Sequence, residues 1–224
     1  MAELAGVRTN TALESVSAVR PIGQSRKRVL DIILASSAIV LLAPLLTLCF
    51  LACLFTSPGP AIFRHRRVGL GGKRFACFKF RTMVNDAQDC LSDYLASNPE
   101  AKKEWEATHK LQFDPRVTSI GSILRKTSLD ELPQLFNVLM GDMSIVGPRP
   151  VTEEELLKYS NSAGAYLSCR PGITGLWQVS GRSGTTYSKR VACDSYYAAN
   201  WSMSLDLKIL LVTLPVLLNA DNAY

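Results

Sequence analysis

Histidine is scarce in this chain: only His65 and His109 occur among 224 residues, which argues against a histidine-built zinc centre. Six cysteines stand at 49, 53, 77, 90, 169 and 193, and none is spaced as a zinc knuckle or a Cys-x-x-Cys redox pair. Cys49 and Cys53 sit in an apolar run, where free cysteine behaves as a small hydrophobe, so a reducing compartment without structural disulfides is expected. Residues 1–25 lack the apolar core and cleavage site of a secretory signal and read as a flexible, polar, cytoplasmic tail. No internal repeat is visible. Charged residues make up 20% and apolar residues 47%, too much to bury for a disordered chain and too much charge for a polytopic transporter. The length suits one domain with an appendage. A net charge of +6 points to an anionic partner such as phosphate, nucleotide or acidic lipid.

The main apolar run is Ile32 to Phe55, 24 residues without a charge. As a helix it is about 36 Å long, enough for a hydrocarbon core of about 30 Å. Pro44 stands at its middle, cannot bond the carbonyl of Val40 and crowds it, which predicts a bend and two half-helices of about twelve residues. Arg26, Lys27 and Arg28 precede the run, and Arg64, Arg66, Arg67, Lys73 and Arg74 follow it. Positive flanks belong on the cytoplasmic side, so residues 26–57 are expected to form a re-entrant membrane helix that turns at Pro44; a simple kinked span is the alternative.

Ser57-Pro58-Gly59-Pro60 ends the membrane element, and residues 58–224 form the expected cytoplasmic catalytic domain. Ala61 to Phe63 and Arg74 to Arg81, around the turn at 69–73, predict a basic hairpin. Residues 84–113 read as two solvated helices broken at Asn98-Pro99, with little chemistry. A helix is expected from about Leu129 to Met140 with Gly141 as its C-cap, and residues 205–219 predict an interfacial or packed helix. The expected fold class is α+β, mostly helical, with one small hairpin or sheet.

Ser128-Leu129-Asp130-Glu131 has the pattern of a capping box, Ser128 as N-cap and Glu131 reaching back. Yet Asp130 and Glu131 are adjacent carboxylates at a positive helix end, with Arg125 and Lys126 just upstream. Such a pair can hold a divalent metal, and a carboxylate can attack a phosphoryl group if cations offset the repulsion. Arg149, between Pro148 and Pro150, is stiffened for bidentate phosphate contact, and Arg170 and Arg182 also lie beside proline or glycine. Lys79 and Asp194 are weaker candidates, since one could face solvent and the other cap a helix. Trp177 and the tyrosines at 187, 196 and 197 could stack on a base or sugar but suit a core equally.

The motifs Lys27-Arg-Val-Leu-Asp31, Lys79-Phe-Arg-Thr-Met83, the run from Asp114 to Pro150, Arg170 to Arg182, Asp194 to Tyr197 and Asp206 to Leu210 resemble the bacterial sugar transferases, or monotopic phosphoglycosyl transferases. The resemblance covers the chain from about Arg26 to Asn219. It implies a re-entrant helix at the bacterial cytoplasmic (inner) membrane, with catalysis on the cytoplasmic face. It also implies transfer of a sugar 1-phosphate, galactose or glucose, from a UDP-sugar to undecaprenyl phosphate, with release of UMP and with Mg2+ present. By resemblance Asp130 is the nucleophile, Glu131 its metal or acid-base support, and Arg125 and Arg149 hold phosphates. The chain departs from many relatives in having Ala43 before Pro44 in place of serine, and it lacks the long N-terminal region of larger ones, so a compact form is expected. The remaining alternatives are a membrane-anchored scaffold for glycan assembly enzymes and a peripheral nucleic-acid binder, the latter disfavoured by the apolar helix. A homodimer is left as a possible state.

Overall fold

The computed structural model describes residues 21–181 and 186–218. Most of the tail expected over 1–25, and Arg182, lie outside the described residues.

The apolar run forms a single helix, α1 (Gln24–Thr56), which continues through Pro44. The expected pair of half-helices is therefore corrected to one element. Proline deletes one N–H of the ladder, but both halves of α1 pack on the same globular body, which holds the helix on either side of residue 44. Ala35, with Ala38 and Ile39, joins a core with Phe75, Leu135 and Met143. Leu45, Leu46, Cys49 and Cys53 join a second with Ala61, Phe80 and Leu124. Polar bonds tie down both ends. Near the start, Arg28 donates to the carbonyls of Val138 and Leu139 at 2.5 and 2.8 Å, and Lys27 pairs with buried Asp206 at 2.6 Å. Asp31 accepts from Ser144 Oγ and the Ile145 N–H. At the far end, Arg81 donates to the carbonyls of Cys53, Ser57 and Pro58. The opposite face is bare: Val40, Leu41, Leu48 and Phe55 are 65–85% exposed.

The hairpin is as expected, though its first strand is longer: β1 (Ile62–Val68) pairs antiparallel with β2 (Arg74–Phe80), from Ile62 opposite Phe80 to Val68 opposite Arg74. The break at Asn98 is also found. It separates α2 (Ala87–Ser97) from α3 (Pro99–Thr108), and the Asn98 side chain caps α3 by accepting from the Ala101 N–H.

Next come α4 (Ser119–Lys126), a 3-10 turn (Leu129–Glu131) and α5 (Gln134–Met140), which ends on Gly141 at φ 89°. The helix expected from Leu129 is thus a turn followed, after Pro133, by a shorter helix. The capping box is not formed. Ser128 adopts φ 57° and its side chain makes no cap bond. A second small sheet, of two parallel strands, joins β3 (Ser144–Val146) to β4 (Gly172–Thr174). A Cβ on Gly172 would lie 2.1 Å from the Gly147 nitrogen, so the two loops could not approach with any other residue there. Short helices α6 (Glu153–Leu157), α7 (Ala163–Leu167) and α8 (Leu176–Val179) lead to α9 (Tyr187–Asn200) and α10 (Met203–Leu218). Among the described residues the fold is mostly helical with two two-stranded sheets.

Candidate active site

Asp130 and Glu131 lie at the floor of a cleft of about 1340 Å³, walled by the end of α1, the hairpin, α4 and the loop after β3. Three of these walls, the hairpin, α4 and the loop after β3, deliver cations. On β2, Lys79 lies beside buried Phe80 and reaches across to the acidic pair, its Nζ 2.7 Å from Glu131 Oε1 and 3.5 Å from Asp130 Oδ2. Arg149 stands in the Gly-Pro-Arg-Pro segment, which leaves β3 and is held by the backbone bond from Val68 to Val151; its Nη1 lies 3.6 Å from Glu131 Oε1. Arg125 closes the third side, its Nε donating to Thr82 Oγ1 at 2.9 Å. That contact requires α4 to abut the strand exit, and Gly121 permits it: a Cβ there would stand 2.1 Å from the Thr82 carbonyl oxygen.

The left-handed backbone of Ser128 sets the direction of the turn that carries the pair. Asp130 is buried, and burial pushes its carboxyl above the ordinary carboxylate range. Lys79 opposes this most strongly, the neighbouring Glu131 charge adds to the rise, and Arg125 lowers it. A carboxylate so placed is poorly hydrated by water and balanced by positioned cations, a setting in which a carboxylate can attack an already negative phosphoryl group. Among the described residues, no cluster of three or more histidine, cysteine or acidic side chains gathers to cage a metal. Two carboxylates are nevertheless enough for Mg2+, which commonly takes its other ligands from substrate phosphates and water.

The cleft brings together five of the residues singled out from sequence: Lys79, Arg125, Asp130, Glu131 and Arg149. Arg170 is elsewhere. Its Nε donates to the Gly141 carbonyl at 2.9 Å, closing the end of α5. Asp194 is only 1% exposed and accepts from Tyr159 Oη at 2.7 Å, a buried bond outside the cleft lining. Tyr197 is a core residue bonded to Asp206, whereas Trp177 does line the cleft. The segment 84–113, expected to carry little chemistry, supplies cleft lining at Val84, Asn85, Ala87 and Lys110. Sequence reasoning missed Thr82, Gln178 and Arg190. Arg190 had a signal: Arg190, Asp194 and Tyr197 follow the helical spacing of a buried face.

Against this geometry, the sequence profile of the family described as bacterial sugar transferase matches residues 22–220. The chain belongs to the bacterial sugar transferase family. It is 48% identical over 211 residues to the exopolysaccharide production protein ExoY of Rhizobium meliloti, covering 94% of this chain and 93% of that protein. It is also 48% identical over 198 residues to the undecaprenyl-phosphate galactose phosphotransferase of Salmonella typhimurium, covering 88% of this chain and 41% of that longer protein. The UDP-glucose:undecaprenyl-phosphate glucose-1-phosphate transferase of Caulobacter vibrioides is 46% identical over 207 residues, 89% of this chain and 72% of that one. Transfer of a sugar phosphate to a lipid phosphate suits a cleft in which two carboxylates stand among several cations, and the one long apolar helix among the described residues suits membrane association.

Proposed function

We propose that this sugar transferase moves a hexose 1-phosphate, galactose or glucose, from a UDP-sugar to undecaprenyl phosphate, the opening membrane step of exopolysaccharide synthesis. One observation carries the reading: the acidic pair and its cations share a rim with an apolar groove. The groove, of about 700 Å³, is lined by Leu46, Phe50, Phe78, Phe136, Leu139 and Met140, and meets the cleft at Phe50, Ile62, Arg64 and Phe80. A phosphate at the rim and an isoprenoid tail in the groove describe the lipid acceptor.

In the first half-reaction an Asp130 carboxylate oxygen attacks the β-phosphorus of the UDP-sugar. The bond from that phosphorus to the bridging oxygen breaks, UMP leaves with the electron pair, and the hexose phosphate becomes an acyl phosphate on Asp130. In the second, a phosphate oxygen of undecaprenyl phosphate attacks the same phosphorus and releases the Asp130 carboxylate. Lys79, Arg149 and Arg125 offset the charge of the approaching anions. Asp130 and Glu131 would hold Mg2+, which would supply further charge neutralisation.

The proposed membrane placement is supported by α1. Its two ends are bonded to one body, and its exposed face carries Val40, Leu41, Leu48 and Phe55. Held at both ends, α1 lies with this bare face in the cytoplasmic leaflet of the inner membrane rather than across it. UMP release from a panel of UDP-sugars, with purified protein, undecaprenyl phosphate and Mg2+, tests the reading. Wild type is expected to release UMP and Asp130→Asn to release none. Near-normal turnover by Asp130→Asn would remove the nucleophile, and no UMP from any sugar with folded, membrane-inserted protein would remove the reaction.

A further inference from the structure

Three residues that line the cleft carry four buried polar atoms with no protein partner: Arg190 Nε and Nη2, Trp177 Nε1 and Gln178 Oε1. Unmet polar groups of this kind are rare in folded proteins, and those on a charged group are the most costly. Arg190 is 8% exposed. Its guanidinium lies over the rings of Trp177 and Tyr187, at 5.2 and 5.3 Å, and Nη1 is 3.6 Å from Glu155 Oε1. The aromatic rings account for its faces and Glu155 for one corner. What remains is the Nε–Nη2 edge, the two parallel N–H groups that fit two oxygens of one phosphate. A cation kept only to pair with Glu155 would have no use for an empty edge. A structural role in α9 is also served without it, since Asp194, on the same face, already bonds Tyr159.

We propose that Arg190, with Trp177 and Gln178 beside it, forms the subsite that holds the phosphate of the departing nucleotide. This rests on the transfer reading given above. When the β-phosphorus is taken by Asp130, the bridging oxygen stays with the nucleotide phosphate and gains negative charge. The Arg190 edge receives that charge. Lys79, Arg125 and Arg149 serve the phosphate that is transferred. Trp177 Nε1 offers one more donor, and Gln178 Oε1 accepts an N–H or hydroxyl of the same nucleotide. Gln178 is fixed for this by the bond from its Nε2 to the Ile173 carbonyl, at 3.0 Å.

The test compares UMP with uridine, which lacks the phosphate, as ligands of the full-length protein in detergent or nanodiscs, for wild type, Arg190→Lys and Trp177→Phe. Arg190→Lys keeps the charge and loses the fork, so UMP affinity should fall about tenfold or more while uridine affinity stays put. The KM for the UDP-sugar should rise and that for undecaprenyl phosphate should not. Trp177→Phe keeps the ring over Arg190 and removes one N–H; it should weaken UMP several-fold with an unchanged melting temperature, and it carries the test if Arg190→Lys fails to fold. Equal weakening of UMP and uridine, or no weakening of UMP in either variant, would overturn the subsite. Wild type that turns over normally in that case keeps the transfer reading, whereas wild type that never releases UMP sinks the transfer reading itself.

Discussion

Lys79 Nζ stands 2.7 Å from Glu131 Oε1 and 3.5 Å from Asp130 Oδ2, so one strand residue holds both members of the acidic pair. Burial raises the Asp130 carboxyl, and Lys79 is the strongest influence in the other direction. If Asp130 is the nucleophile, it attacks only as the carboxylate, and activity is lost as pH falls through its raised pKa. Lys79→Met removes the main stabiliser of the ionised form, and the acid limb of kcat/KM is therefore expected to move to higher pH. A loss of about tenfold should persist on the plateau, where a charge-assisted bond worth about 1.5–3 kcal/mol is missing. A limb that stays in place, measured across a pH series with one UDP-sugar, would show that Asp130 does not set it.

Lys27 and Asp206 are 9% and 2% exposed as side chains and 2.6 Å apart, and Asp206 also accepts from Tyr197 Oη at 2.7 Å and Trp201 Nε1 at 3.0 Å. This network ties the start of α1 to α10. Asp206→Ala leaves a buried ammonium uncompensated, which costs about 3–5 kcal/mol, so the melting temperature should drop by roughly 10 °C. Lys27→Met/Asp206→Leu removes both charges together and should recover most of the loss. A double variant no more stable than Asp206→Ala would show that the charge is not what matters there.

Phe136 is 43% exposed and Met140 57%, on the groove side of α5. If the groove holds the isoprenoid tail, Phe136→Ser removes apolar contact worth about 1.5–3 kcal/mol when fully covered. The KM for undecaprenyl phosphate should then rise roughly tenfold, with the KM for the UDP-sugar unchanged. Steady-state kinetics with each substrate varied in turn decides the matter, and equal rises in both would count against the groove as the tail site.

How much could be read from the chain alone differs from element to element. The Asn98 break, the hairpin and the Gly141 cap are written in local chemistry: an Asn-Pro step, alternating basic and apolar residues, a glycine after an apolar-periodic segment. The acidic pair and three of its cations were also legible, because carboxylates beside arginines are unusual enough to stand out. What failed depended on distant partners. Ser128 to Glu131 matches a capping box, but Lys79 and Arg149 draw Glu131 into the cleft, and no spacing rule contains that competition. Pro44 predicts a break only if nothing holds the helix on either side, and two separate cores do. Asp194 reads as a site candidate or a helix cap, and its burial shows only once α9 is laid against its neighbours.

Asp194 supplies a prediction in stability. Burial pushes its carboxyl from 3.8 up to about 6, partly offset by the Tyr159 hydroxyl and the Arg190 charge. Between those values the folded state keeps a proton that the unfolded chain has released. Its contribution to stability is therefore fully present below the unfolded pKa and is lost as pH rises through the folded one. Asparagine can still accept from Tyr159 and has no charge to bury. Relative to wild type, Asp194→Asn should gain stability from pH 4 to pH 7, by up to about 3 kcal/mol at roughly 1.4 kcal/mol per pKa unit. Denaturant unfolding of both proteins at several pH values measures the difference directly, and other titrating groups cancel in it. A difference that is flat with pH would mean that Asp194 ionises normally. If its carboxylate instead bound substrate, Asp194→Asn would lose turnover at pH 7; the buried position predicts turnover close to wild type.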